Sequence, residues 1–185
     1  MGSEIIAAIV GGFIGLAGSS IPLIWATRYD SYKKDIAAHD EYRSWLRGLI
    51  PECDHLLSCE TELTDLYNLV TITNPIPCPN KKFNSDFLAA ARLSVIKHPR
   101  SVILFPQLTT AYRDIVQTNE MMHRFERTYE QTMQSQNQLI QLSGILPNTL
   151  KALTGVRNSL TELKKLSEEQ EELERNNNPR LLCCF

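Results

Sequence analysis

The sequence predicts an all-α protein, a single N-terminal transmembrane helix followed by an antiparallel helical bundle. Three observations carry that expectation. No charged residue stands between Ile5 and Thr27. Beyond that run, apolar residues recur three and four apart, the period of an amphipathic helix. No segment alternates with period two for long enough to make a strand. The chain has 185 residues, 43% of them apolar and 22% charged, which is one domain's worth of material.

The uncharged run reads IIAAIVGGFIGLAGSSIPLIWAT. As a helix rising ~1.5 Å per residue it spans about 34 Å, slightly more than a hydrocarbon core. A cleaved signal peptide would open on basic residues, yet only Met1, Gly2, Ser3 and Glu4 precede the run. Residues 1–27 therefore read as a retained anchor. Arg28, Lys33 and Lys34 follow it and no Lys or Arg precedes it. The positive-inside rule then puts the N-terminus outside and the bulk of the chain in the cytoplasm, at a plasma or inner membrane. Trp25 suits the cytoplasmic interface, and five cysteines suit free thiols in a reducing compartment. Ala7, Gly11, Gly15 and Ser19 recur every four residues, a stripe of small side chains along which another helix can pack. Pro22 is expected to kink or soften the end of the span.

Residues 28–175 are expected to form the bundle. Tyr32, Ile36, His39, Leu46, Leu49, Cys53, Leu56, Leu63 and Val70 keep one helical stripe, with a kink or short break at Pro51. The loop 71–83 follows, since Pro75, Pro77 and Pro79 forbid helix. A short helix over 85–97, capped by Asn84 or Ser85, ends before Pro99. Pro106 opens a helix reaching to about Ser143, with Leu108, Tyr112, Ile115, Asn119, Met122, Phe125, Tyr129, Met133 and Ile140 as its stripe. Gly144 and Pro147 should break the chain and Asn148 should cap the last helix, about 149–175. Its apolar residues Leu146, Leu150, Leu153, Val156, Leu160 and Leu163 approach coiled-coil spacing over about two and a half heptads. The tail 176–185 is expected to be flexible with an apolar end, Leu181 to Phe185, and it is no prenylation box.

The chemistry-bearing residues are sparse. Two Glu-x-x-His motifs, Glu52–His55 and Glu120–His123, have the spacing that ligates di-iron centres in carboxylate bundles. Such a site also needs an inward Glu from each remaining helix, and residues 85–97 offer only Asp86. Cys53, His55, Cys59 and Cys78 lack the paired knuckles of a zinc module. No phosphate loop, nucleophile elbow or dinucleotide fingerprint is present. Lys81, Lys82, Arg92, Lys97 and Arg100 stand against the single acid Asp86, forming a basic surface for anionic headgroups or an acidic partner. Glu168, Glu169, Glu171, Glu172 and Glu174 form an acidic run. A net charge of −2 argues against nucleic acid as the main partner.

The expected function is thus non-enzymatic and needs no cofactor. It is that of a membrane-anchored accessory or scaffolding subunit, with the lipid bilayer and further copies or a larger membrane complex as partners. The rival expectations are a membrane-disturbing effector that oligomerises through its anchor and, at low weight, a di-metal enzyme using the two Glu-x-x-His motifs.

Overall fold

The computed structural model describes residues 2–69, 81–96, 98–132 and 139–176, and only the backbone of 2–24, 99–100, 132 and 139–141. The chain is all-α. Its elements are α1 (Gly2–Leu69), α2 (Asp86–Val95), a 3₁₀ turn (Pro99–Val102), α3 (Leu104–Thr132) and α4 (Leu139–Asn176), with no strand among the described residues. The described residues fall into two compact units, one within 2–41 and one within 42–176.

Among the described residues no helix is long and apolar enough to cross a membrane. The side chains of most of the Ile5–Thr27 run, including Ala7, Gly11, Gly15 and Ser19, lie outside those residues. So do the loop 71–80, Lys97, the side chain of Arg100 and the tail from 177. What is described of the first unit is helix, with Trp25 and Tyr29 open to solvent and Lys33 Nζ 4.6 Å from the centre of the Tyr29 ring.

The second unit is a bundle whose seams follow a strict alternation of four and three. On α1 the buried positions are Tyr42, Leu46, Leu49, Cys53, Leu56, Glu60, Leu63 and Tyr67. On α3 they run from Leu104 and Leu108 through Ala111, Ile115, Thr118, Met122 and Phe125 to Tyr129. On α4 the seam begins at Thr149, Leu153, Val156, Leu160 and Leu163, then continues through Ser167, Gln170 and Glu174. A heptad repeat keeps one face of each helix turned to its neighbours, so each seam packs along its whole length. The α4 seam outlasts its apolar residues, which is why the sequence shows only its first half.

Ion pairs fix the direction of packing. Arg47 meets Glu171 at 3.3 Å, Asp54 meets Lys164 at 2.7 Å and Glu60 meets Arg157 at 2.7 Å. Numbers rise along α1 as they fall along α4, so these two helices are antiparallel. Phe87 of α2 packs on Trp45 with ring centroids 5.5 Å apart, and His98 stacks on Tyr42 at 4.3 Å. Lys81 reaches Glu62 at 2.6 Å, so the chain from 81 to 98 also runs back along α1. Lys82 approaches Glu126 and Arg92 covers Tyr112, so α3 runs against the 81–98 segment and parallel to α1, with Tyr67 and Phe125 edge to face at 5.2 Å. The result is an up-down-up-down arrangement.

Three sequence expectations need correction here. The α1 helix passes Pro51 without a break. Pro51 is exposed, so its missing N–H and its ring fall on the solvent side while Leu49 and Cys53 stay packed behind it. The second correction concerns Gly144–Pro147, where no break falls: α4 is helical from Leu139 onward. Pro147 and Gly144 lie inside α4 on exposed positions, and burial of Leu142 and Leu153 holds the helix across them. The third is that Asn148 caps nothing: its Nδ2 donates to the Gly144 carbonyl at 2.9 Å, one turn back. At α2 the expected cap is present in altered form. Asn84 Oδ1 accepts from the Asp86 N–H at 2.9 Å, and Ser85 makes no side-chain cap bond.

Candidate functional site

The metal and cysteine candidates come first. Glu52 is half-buried, while His55, Glu120 and His123 face solvent. His123 Nδ1 lies 3.5 Å from Glu126, on its own helix. Neither motif points into the bundle, and no group of three or more His, Cys, Asp or Glu able to hold a metal occurs among the described residues. Cys53 is packed in the α1 seam. Burial, then the neighbouring Asp54 and Glu52, pushes its thiol from an ordinary value of 9.0 up to about 12. Cys59, six residues on, is half-buried with its Sγ 3.9 Å from His55 Nε2.

A thiol probe at pH 8 should therefore modify Cys59 and spare Cys53, as peptide mapping would read. The raised value also has a sign. The folded chain keeps the Cys53 proton where the unfolded chain has released it, so stability should fall as pH climbs from about 9 towards 12. Comparing pH-dependent melts with Cys53→Ala, which removes that contribution, checks it.

The basic residues are largely engaged. Lys81 is held by Glu62, a hydrogen bond and charge contact that raises the lysine and lowers the acid from their ordinary values. Lys82 lies 3.9 Å from Glu126. The Arg92 guanidinium sits 4.5 Å above the Tyr112 ring, the geometry of a cation–π contact. The first half of the expected basic surface is thus bridged to α1 and α3; of its second half, from Arg92 to the 3₁₀ turn, Lys97 and the side chain of Arg100 lie outside the described residues.

That second half carries what sequence periodicity hides. Leu93, Ile96, Val102 and Ile103 are all exposed, Val102 to 76%. Apart from Leu69 and Leu173, they are the large apolar side chains left open among the described residues of Tyr42–Asn178. Scattered exposed aliphatics are ordinary; these four fall within one short stretch. The three-four seam of Leu88, Ala91 and Val95 turns Leu93 and Ile96 outward.

The chain leading into α2 is held from α3. Asn119 Nδ2 donates to the Phe83 carbonyl and Asn119 Oδ1 accepts the Phe83 N–H, both at 3.0 Å. Asn119, polar on the apolar stripe, is thus a clamp on that backbone. Asn119→Leu removes both bonds and leaves two partly buried backbone groups without protein partners, at about 1–3 kcal/mol. Asn119→Asp retains the acceptor alone and should lose less, which denaturant unfolding of the two variants compares. The other close approach is Gly48. A Cβ there would stand 2.7 Å from Phe87 Cζ, so the absent side chain lets the α2 ring lie against α1.

No family model matches this chain, and no curated protein or solved structure does either.

Proposed function

We propose that this chain is a single-pass membrane protein, anchored by residues 5–27, whose bundle is a non-enzymatic interaction module. In this reading it is an accessory or scaffolding subunit of a membrane-associated complex. One observation supports it most. Where the uncharged run ends, Trp25 and Tyr29 lie exposed one helical turn apart, with Lys33 over the Tyr29 ring. Amphipathic rings followed by cations are the usual composition at a membrane–water interface. The solvent-facing His55, Glu120 and His123 weigh against a metal enzyme, and the exposed aliphatic stretch favours binding to another macromolecule.

Membrane fractions washed at alkaline pH test the anchor: the chain should stay with lipid, and deletion of 5–27 should release it. A cytoplasmic reporter fused after Phe185 should be active and an export-dependent reporter silent; the reverse overturns the orientation. Gel filtration in mild detergent tests the role. A stoichiometric second protein supports the accessory subunit, whereas growth arrest with dye entry on overexpression, lost on deletion of 5–27, would favour the effector reading.

A further inference from the structure

The α4 seam changes character partway along the helix. Leu153, Val156, Leu160 and Leu163 fill its first half. Beyond them the same four-three positions fall to Ser167, Gln170 and Glu174, all buried. Leu166 is only half-buried against the core and Leu173 is exposed. The register set by Arg47 on Glu171 and Asp54 on Lys164 places the three polar residues alongside Leu49, Leu46 and Tyr42 of α1, which are buried and form an apolar wall. A heptad seam is stabilised by apolar side chains from both helices. Here one helix supplies polar ones, which gain little from leaving water.

Charge loosens the same stretch. Glu171, Glu172 and Glu174 crowd the C-terminal end of α4, where the helix dipole disfavours carboxylates, and Arg175 is the basic residue of its last turn. The ties to α1 weaken in step. Arg157 grips buried Glu60 at 2.7 Å and Lys164 reaches Asp54 at 2.7 Å. Further on, Glu171 meets Arg47 at 3.3 Å, with the Arg47 side chain 60% exposed. Pairs so open to water add little to stability.

We propose that residues 166–176 form a hinged strap, which lifts from α1 as one unit while the rest of α4 stays packed. The hinge falls just past Leu163, where the leucine seam and the two close ion pairs end. Segments of low local stability open in this sub-global way without global unfolding. Lifting uncovers Tyr42, Leu46 and Leu49, so the folded bundle has one state that hides this apolar α1 face and one that shows it. The strap is a property of the bundle and does not depend on residues 5–27 being an anchor.

Hydrogen exchange followed by mass spectrometry on the full-length chain in mild detergent tests this. Amides of 168–174 should exchange together, on the order of tenfold or more faster than those of 153–163. Gln170→Leu with Glu174→Leu should slow 168–174 to the rate of the leucine-packed half. Gln170→Leu alone should move it part of the way, which keeps the test decisive if the double variant disturbs the fold. Arg47→Ala should speed exchange in 168–174 and leave 153–163 unchanged. Thiol labelling reads the uncovered face: the thiol introduced by Leu46→Cys should react while Cys53, further along the α1 seam, stays protected. Uniform protection along α4 would overturn the strap, and so would equal protection of the two thiols. Fast exchange in 168–174 that neither leucine variant slows would be ordinary fraying of a helix end, and would overturn it too.

Discussion

Leu153→Ala lowers the unfolding free energy by about 2–5 kcal/mol, the range for truncating a fully buried leucine. Leu153 is wholly buried in the first turns of the α4 seam, between Thr149 and Val156. Truncation removes its contacts with neighbouring seams and leaves a void that a long, regular bundle closes poorly. Denaturant unfolding in mild detergent, followed through Trp45 beside Phe87, measures it. A loss below about 0.5 kcal/mol would show that α4 is not packed at this position. Leu173→Ala, on the exposed acidic edge, should stay within about 0.5 kcal/mol of the parent.

The all-α class and most of the core were legible because apolar spacing of three and four is a local signal. Leu46, Leu49, Cys53, Leu56 and Leu63 on α1 all lie in the seam that their periodicity predicts. The same signal fails where polar side chains take buried positions. Glu60 and Glu174 occupy seam sites, and no hydropathy pattern marks a carboxylate as internal. It fails again at Pro51, Gly144 and Pro147. A breaker on the solvent face is tolerated when the opposite face is packed, and the chain alone does not disclose which side of the helix is outward. The exposed aliphatic stretch was hardest to read. Its basic neighbours were visible as a cluster, but which of its apolar residues face outward depends on the buried stripe of α2 (Asp86–Val95). A short helix buries one narrow stripe, and everything beside that stripe is left outside.

Arg157→Met should cost about 2–4 kcal/mol, more than any surface ion pair would. The reason lies with Glu60, whose 1% exposure makes it a charge inside the bundle. Arg157 Nε donates to its Oε2 at 2.7 Å, and Thr64 Oγ1 donates to its Oε1 at 2.7 Å. Removing the arginine strands a buried carboxylate with one hydroxyl for company, and loss of one partner from a buried pair costs about 3–5 kcal/mol. The Arg157 side chain is itself 48% exposed, so water can follow into its place and the expected cost is smaller. Glu60→Leu alone should be mild, because a leucine suits the position and the released arginine can turn to solvent. Glu60→Leu combined with Arg157→Met should then recover most of what Arg157→Met loses, since the pair contributes little once both charges are gone. A double-mutant cycle by thermal or denaturant unfolding reads all four chains. Equal losses for Arg157→Met in the parent and in the Glu60→Leu background would show that Arg157 acts through packing alone, and that the Glu60 charge finds its compensation elsewhere.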